Sequence, residues 1–365
     1  MYIVIFTSFL ALFLTYLESY KNLNGGMKWG FIFLSFLGCI HYDYGNDYMN
    51  YLDIYNYFTS TPFSFSLFQT ETFKDPGWVM ICYLFKNIGG FFMMVAVLNI
   101  VQNILVYRTI KYYVEKQWWP ISIFFYAFYT SLYLLSFSMM RQSFVICVFL
   151  GVWPLIQKRK YILSLIILFF CSTVHASSLL LLPFAFVGFI PVRLSKFLGM
   201  VLMSFYMAIW LGGNFINDVF SSFMGVEQFG KYGDSYEVSR GEVNFGLGFL
   251  LNQIPFVLSL LYLFADKKNK LQSEMSVVLV SSMGFMIAPF ASIIPIVLRV
   301  GMYFFAYQII AIPIIYSQIR NKIVQYATLF ILIFMTLYMY FSFFTDPTWS
   351  LKYTEFKTIF SVLFV

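Results

Sequence analysis

An all-α, polytopic membrane bundle is the fold class this chain predicts, and three observations predict it. The 365 residues are 61% hydrophobic and only 11% charged, against about 25% charged in soluble domains. The mean hydropathy is +0.78, so there is too little polar surface to cover a water-soluble core. Apolar stretches also recur along the whole chain, separated by short basic connectors.

A membrane-crossing helix needs about 20 apolar residues, with roughly 17 as a floor. Candidate spans run over Tyr2–Leu17, Trp29–Tyr42, Gly89–Tyr107, Trp119–Phe137, Met140–Leu155 and Tyr161–Val174 in the first half. They continue over Ser177–Ile190, Leu198–Leu211, Phe245–Phe264, Met275–Phe290, Ile294–Ile315 and Ile323–Phe344. That makes about twelve in a single transmembrane domain over residues 1–365, some too short to cross unaided. The segment Gly77–Ile88 adds an interfacial helix or lengthens the third span, and Thr345–Val365 is a short amphipathic tail. The first stretch lacks a basic leader and a small-residue cleavage site, and reads as a retained span.

Loop charge sets the orientation. Placing the Lys21/Lys28 connector in the cytoplasm and counting alternately puts Arg108, Lys111, Lys116, Lys158, Arg159 and Lys160 on the same side. Arg193, Lys196, Lys267, Lys268, Lys270, Arg320 and Lys322 join them, so fifteen of 23 basic residues are cytoplasmic. The net charge of +7 is therefore a topology signal, and nucleic acid is not an expected partner. Two long loops then emerge outside, residues 43–76 and 212–244, and they hold most of the acidic residues, including Asp43, Asp47, Asp53 and Asp75. The working face is expected to be extracytoplasmic. Four cysteines lie in apolar stretches without paired spacing, which gives neither a disulfide framework nor a zinc site.

Three residues stand out because ionisable groups inside apolar spans are costly and default to function. They are Arg141 in "SFSMMRQSFVICVF", His175 in "CSTVHASSLLLLPF" and Arg299 in "SIIPIVLRVGMYFF". In this topology all three reach the outer side, where they meet the polar, tyrosine-rich stretch "HYDYGNDYMNYLDIYNYF" (His41–Phe58). Headgroup snorkelling by the arginines and a structural hydrogen bond for the histidine are the plainer alternatives. Arginine remains charged and binds phosphate oxygens through two parallel hydrogen bonds. An aspartate accepts a proton from an attacking hydroxyl. Together these groups suit transfer of a sugar from a lipid pyrophosphate to a hydroxyl, with the arginines stabilising the leaving group. No metal is expected, since no convergent ligand pattern appears, and an acidic loop in water is the simpler reading of Asp43, Asp47 and Asp53.

Four pieces in matching order resemble one family. They are "GNDYMNY" (Gly45–Tyr51), the Met140–Pro183 block from "MRQ" to "HASSLLLLP", "LRVGMYFFAYQIIAIP" (Leu298–Pro313) and "KYTEFKTIF" (Lys352–Phe360). The chain is similar to the EpsG family, grouped with the Wzy-type polymerases of O-antigen and exopolysaccharide. The resemblance implies a GT-C-like glycosyltransferase of the bacterial cytoplasmic membrane, with its active site facing the periplasm or exterior. Its substrates would be oligosaccharide repeat units on undecaprenyl pyrophosphate. The growing glycan passes to the non-reducing end of another lipid-linked unit, without metal or other cofactor and without nucleotide sugar. Lipopolysaccharide, capsule or exopolysaccharide synthesis is the setting it implies, with the bilayer and a chain-length regulator as partners. The matched polar positions are Asp47, Arg141, His175 and Arg299. On that basis Arg141 and Arg299 are expected to hold pyrophosphate, and Asp47 or His175 to act as base. Gln142, Tyr48 and Ser177 are expected to support them or contact sugar.

Two rivals share the composition. An O-antigen ligase uses the same donor, and the motif order favours the polymerase over it. A flippase for the lipid-linked unit should show a two-half repeat and charges along a path through both leaflets, whereas these polar residues gather toward one face.

Overall fold

A computed structural model describes residues 1–62, 75–189, 197–201, 203–204, 247–265, 272–293 and 297–363. The chain is an all-α membrane protein, and among the described residues one two-residue strand pair is its only sheet. It divides into two compact units, Met1–Phe189 with Thr336–Val365, and Ile190–Met335.

The first unit begins with α1 (Tyr2–Tyr20) and α2 (Gly26–Ile40), which pack along each other. The strand β1 (His41–Tyr42) follows, then α3 (Tyr48–Ser60), α4 (Pro76–Lys86) and α5 (Gly90–Tyr113). After α6 (Trp119–Phe128) come α7 (Met140–Gln157), α8 (Tyr161–Val174) and a 3-10 helix, Ala176–Phe189. The packing order is α2 on α5, α5 on α7, and α7 on α8. In the second unit lie α9 (Leu247–Phe264), α10 (Gln272–Ile293), α11 (Val297–Phe305) and α12 (Gln308–Ser317). Helix α13 (Lys322–Thr345) runs from this unit back into the first. There α14 (Pro347–Tyr353), β2 (Lys357–Thr358) and a four-residue helix, Phe360–Leu363, follow.

Among the described residues, α1, α5, α7 and α13 are each long and apolar enough to cross a membrane. The pair α11–α12, bent by 43° at its break, makes a fifth if counted as one span. Several expected spans are shorter than a crossing requires, α2 having 15 residues and α8 having 14. The stretch expected as one span over Trp119–Phe137 is broken. Helix α6 stops at Phe128, and the backbone turns through Thr130–Ser131 into a one-turn 3-10 helix, Leu135–Phe137. Helix α2 ends at Ile40 rather than Tyr42, because His41 and Tyr42 pair antiparallel with Thr358 and Lys357. The expected outer loop 43–76 contains helix α3, and its residues 63–74 lie outside those described. The loop 212–244 and most of the span Leu198–Leu211 also lie outside them.

Contacts define two ends of the first unit. At one end the Ser19 and Tyr20 hydroxyls donate to the Lys116 and Gln117 carbonyls. There too Tyr113 donates to Gln157, and the Lys158 ammonium lies 5.5 Å from the Tyr112 ring centre. Lys21, Lys28, Arg108, Lys111 and Lys158–Lys160 all belong to the helix ends and connectors on that side. At the other end the Met1 ammonium donates to the Thr354 carbonyl, and the β1–β2 pair ties the end of α2 to the tail. Asp43, Asp47, Asp75 and Arg141 lie at this second end.

Candidate active site

The polar stretch after α2 is shaped by its own periodicity. Tyr48, Tyr51, Tyr55 and Phe58 are buried along one face of α3, while Asn50, Asp53, Asn56 and Tyr57 are exposed on the other. The turn into α3 needs Gly45, whose φ is +114°. A β-carbon there would also sit 2.6 Å from the Phe137 carbonyl oxygen. This close approach sets the start of α3 against the start of α7. The tail clamps the turn from outside. Lys352 reaches the Asp43 carboxylate at 2.6 Å, Asn46 donates to the Thr348 carbonyl, and Tyr44 donates to the Tyr353 carbonyl.

Two rungs then join α3 to the entry of α7. In the first, Ser138 donates to the Asp47 carboxylate at 3.2 Å. In the second, Arg141 lies over the Tyr51 ring, 5.4 Å from its centre, with its Nε 3.5 Å from the Tyr51 hydroxyl. Tyr51 is in turn packed on Trp78 of α4, their rings 5.5 Å apart. The spacings suit the helices, because Asp47 and Tyr51 are four residues apart and Ser138 and Arg141 are three.

Arg141 also forms an ion pair with Asp75, the residue that precedes Pro76 at the start of α4. The Asp75 side chain is 10% exposed and that of Arg141 21%. The second Asp75 oxygen accepts the Ala176 backbone N–H at 2.9 Å. Burial holds the Asp75 carboxyl above the usual carboxylate value of 3.8, and Arg141 and the Ala176 N–H pull it back down. One carboxylate thus ties together the starts of α4 and α7 and the end of α8, and fixes the guanidinium in place.

Beneath this pair runs an apolar groove between α4, α7 and α8, with a volume of about 640 Å³. Pro76, Phe144 and Val174 line it, each within a turn of Asp75, Arg141 or His175, and Val148, Ile167 and Phe170 continue it away from them.

Of the residues expected from sequence, Asp47, Arg141 and His175 fall at this one end. His175 is half-buried directly after α8, and its carbonyl accepts the Ser178 N–H and hydroxyl. Gln142 is buried beside Arg141, and Ser177 is half-buried in the 3-10 helix. Tyr48 is fully buried, its hydroxyl 3.3 Å from the His41 carbonyl and its ring against His41 and Phe91. Arg299 lies on α11 of the second unit with an exposed side chain. Sequence reasoning did not single out Asp75, Tyr51, Trp78 or Ser138. An Asp-Pro step at a helix start was the one local sign of Asp75. Among the described residues, no three His, Cys, Asp or Glu side chains converge as metal ligands would.

The family model of the EpsG family matches residues 26–358, a range that includes both rungs, the ion pair and the β1–β2 closure. No curated protein and no solved structure matches the chain. The match spans most of a helical membrane body that holds the paired arginine and the apolar groove, and the chain belongs to the EpsG family, a polysaccharide polymerase-like family.

Proposed function

We propose that this protein is a metal-independent glycosyltransferase that polymerises lipid-linked repeat units on the outer face of the bacterial cytoplasmic membrane. The donor is a growing glycan on undecaprenyl pyrophosphate, and the acceptor is the non-reducing end of a second lipid-linked unit. The observation that carries this reading is the Asp75-bound Arg141 at the mouth of an apolar groove. A fixed guanidinium beside a hydrocarbon-lined slot matches the two halves of a prenyl pyrophosphate, anionic head and apolar chain.

The chain's own residues take the following parts. Arg141 binds oxygens of the leaving pyrophosphate, oriented by Asp75 and the Tyr51 ring. As the bond from the anomeric carbon to phosphate oxygen breaks, its electron pair stays on the pyrophosphate, and the guanidinium stabilises that charge. Asp47 takes the acceptor hydroxyl's proton as the new glycosidic bond forms. It is preferred to His175 because its half-buried carboxylate accepts a bond from Ser138 and keeps lone pairs for a second donor. Asp75 by comparison has both oxygens engaged. Gln142, buried beside Arg141, and Ser177, two residues after His175, support those two side chains, and Tyr48 supports the fold of α3. Arg299 is assigned a pyrophosphate contact of its own. The twelve-span, GT-C-like arrangement with loops 43–76 and 212–244 outside belongs to the same proposal.

The test is to mix the purified protein with an undecaprenyl-pyrophosphate repeat unit, without nucleotide sugar or added metal. A ladder of lipid-linked oligomers is expected. A folded protein that yields no ladder across several repeat units, and moves the same lipid between vesicle leaflets, would replace the polymerase with the flippase.

A further inference from the structure

A second cavity, of about 730 Å³, opens between α2 and α5 at the basic end of the first unit. It has a polar mouth and an apolar body. Lys28 and Arg108 line the mouth with Tyr107, and Phe31, Ile32, Phe36, Ile100 and Ile104 line the body. The helices run antiparallel there, so Lys28 and Arg108 meet at one end while Cys39 and Ile100 meet at the other. Beside Cys39, Gly38 lets α2 approach Asn99 so closely that a β-carbon would overlap its amide. From Lys28 to Cys39 the helix rises roughly 16 Å, a length suited to an acyl chain.

The two cations are not spent on the protein. Both are exposed, and among the described residues neither has an ion-pair or hydrogen-bond partner. Trp29 and Tyr112 are each 54% exposed at the same end, and exposed aromatic rings of this kind sit at headgroup depth. The body's Ile32, Phe36, Ile100 and Ile104 are themselves partly open to the surrounding membrane. The polar floor is satisfied internally, since Asn103 donates to Asn99 and accepts from Tyr126.

We propose that this cleft holds one anionic glycerophospholipid, its phosphate between Lys28 and Arg108 and one acyl chain between α2 and α5. Charge selects the ligand, because an apolar slot alone would take any membrane lipid while two unpaired cations at its mouth favour a net negative headgroup. The site is separate from the Asp75–Arg141 groove, which lies between other helices at the opposite end of the same unit.

Native mass spectrometry of the purified protein, incubated with equal phosphatidylglycerol and phosphatidylcholine, tests this. One phosphatidylglycerol should be retained in roughly tenfold excess or more over phosphatidylcholine. The preference should disappear in Lys28→Gln/Arg108→Gln and survive in Lys28→Arg. Ser35→Trp, which fills the cleft and keeps both charges, should lose the bound lipid. Equal retention of both lipids by the parent, or an unchanged preference in the double glutamine variant, would overturn the proposal. So would undiminished retention by a Ser35→Trp protein.

Discussion

The two ends of the first unit carry the same kinds of cation in opposite circumstances. At one end Arg141 is mostly buried, paired with Asp75 and laid on the Tyr51 ring. At the other, Lys28 and Arg108 are exposed and, among the described residues, unpaired. A buried ion pair is expensive to desolvate and gives little net stability over apolar packing. Holding one at the edge of a membrane body makes sense where a charge must sit in a fixed place before its ligand arrives. Exposed cations cost almost nothing and act through the long-range attraction of lipid charge. On the two proposals above, the difference separates a site for chemistry from one for lipid recognition.

The largest effect is expected at Arg141. Arg141→Ala should lower the rate of ladder formation by about 10²–10³-fold, the usual effect of removing one group that stabilises developing negative charge. It should also cost about 3 kcal/mol of stability, because Asp75 is left buried without its counter-charge. Asp47→Asn separates the roles within the site. A loss of roughly 10²-fold or more in rate is expected, with thermal unfolding in detergent almost unchanged, because the amide oxygen can still accept from Ser138.

The site end should also be the acid-sensitive one. His41 is fully buried, with its Nδ1–H on the Gly38 carbonyl, and burial lowers its pKa from 6.5 to about 4. The neutral ring is the form the fold accepts. Stability from this residue is therefore complete above pH 6.5 and is lost as pH falls from 6.5 toward 4. The loss should be on the order of 3 kcal/mol. Unfolding of the parent and of His41→Phe across that window checks it, and the variant should show a shallower decline.

A smaller effect is expected at Gly45→Ala, about 2 kcal/mol, from a positive φ and the contact with the Phe137 carbonyl. Activity should fall with it, because the turn aligns α3 with α7. The smallest effect belongs to the basic end. Lys28→Gln/Arg108→Gln should leave unfolding within about 0.5 kcal/mol of the parent and leave the ladder rate unchanged.

Much of this was legible in the chain. Helix α8 occupies Tyr161–Val174 as its apolar run indicates, and Arg141 and His175 stand out as the basic side chains in otherwise uncharged stretches. What the chain could not display is tertiary. Asp75 looks like one more acidic loop residue until Arg141 and the Ala176 N–H converge on it across residues far apart in sequence. Tyr48 and Tyr51 are equivalent by composition, yet one is enclosed by His41 and Phe91 and the other faces Arg141. Trp119–Phe137 is apolar enough to look continuous, and hydropathy cannot show that the backbone turns at Thr130–Ser131.

Under the proposed function, Arg141, oriented by Asp75, holds the pyrophosphate of a prenyl-linked glycan. The most direct test is binding of undecaprenyl pyrophosphate to the purified parent, Arg141→Ala and Arg141→Lys, each with folding verified. The expected result is tight binding by the parent, a loss of roughly tenfold or more in Arg141→Ala, and only partial recovery in Arg141→Lys, whose ammonium cannot make paired parallel bonds. Equal binding by all three folded proteins would contradict it.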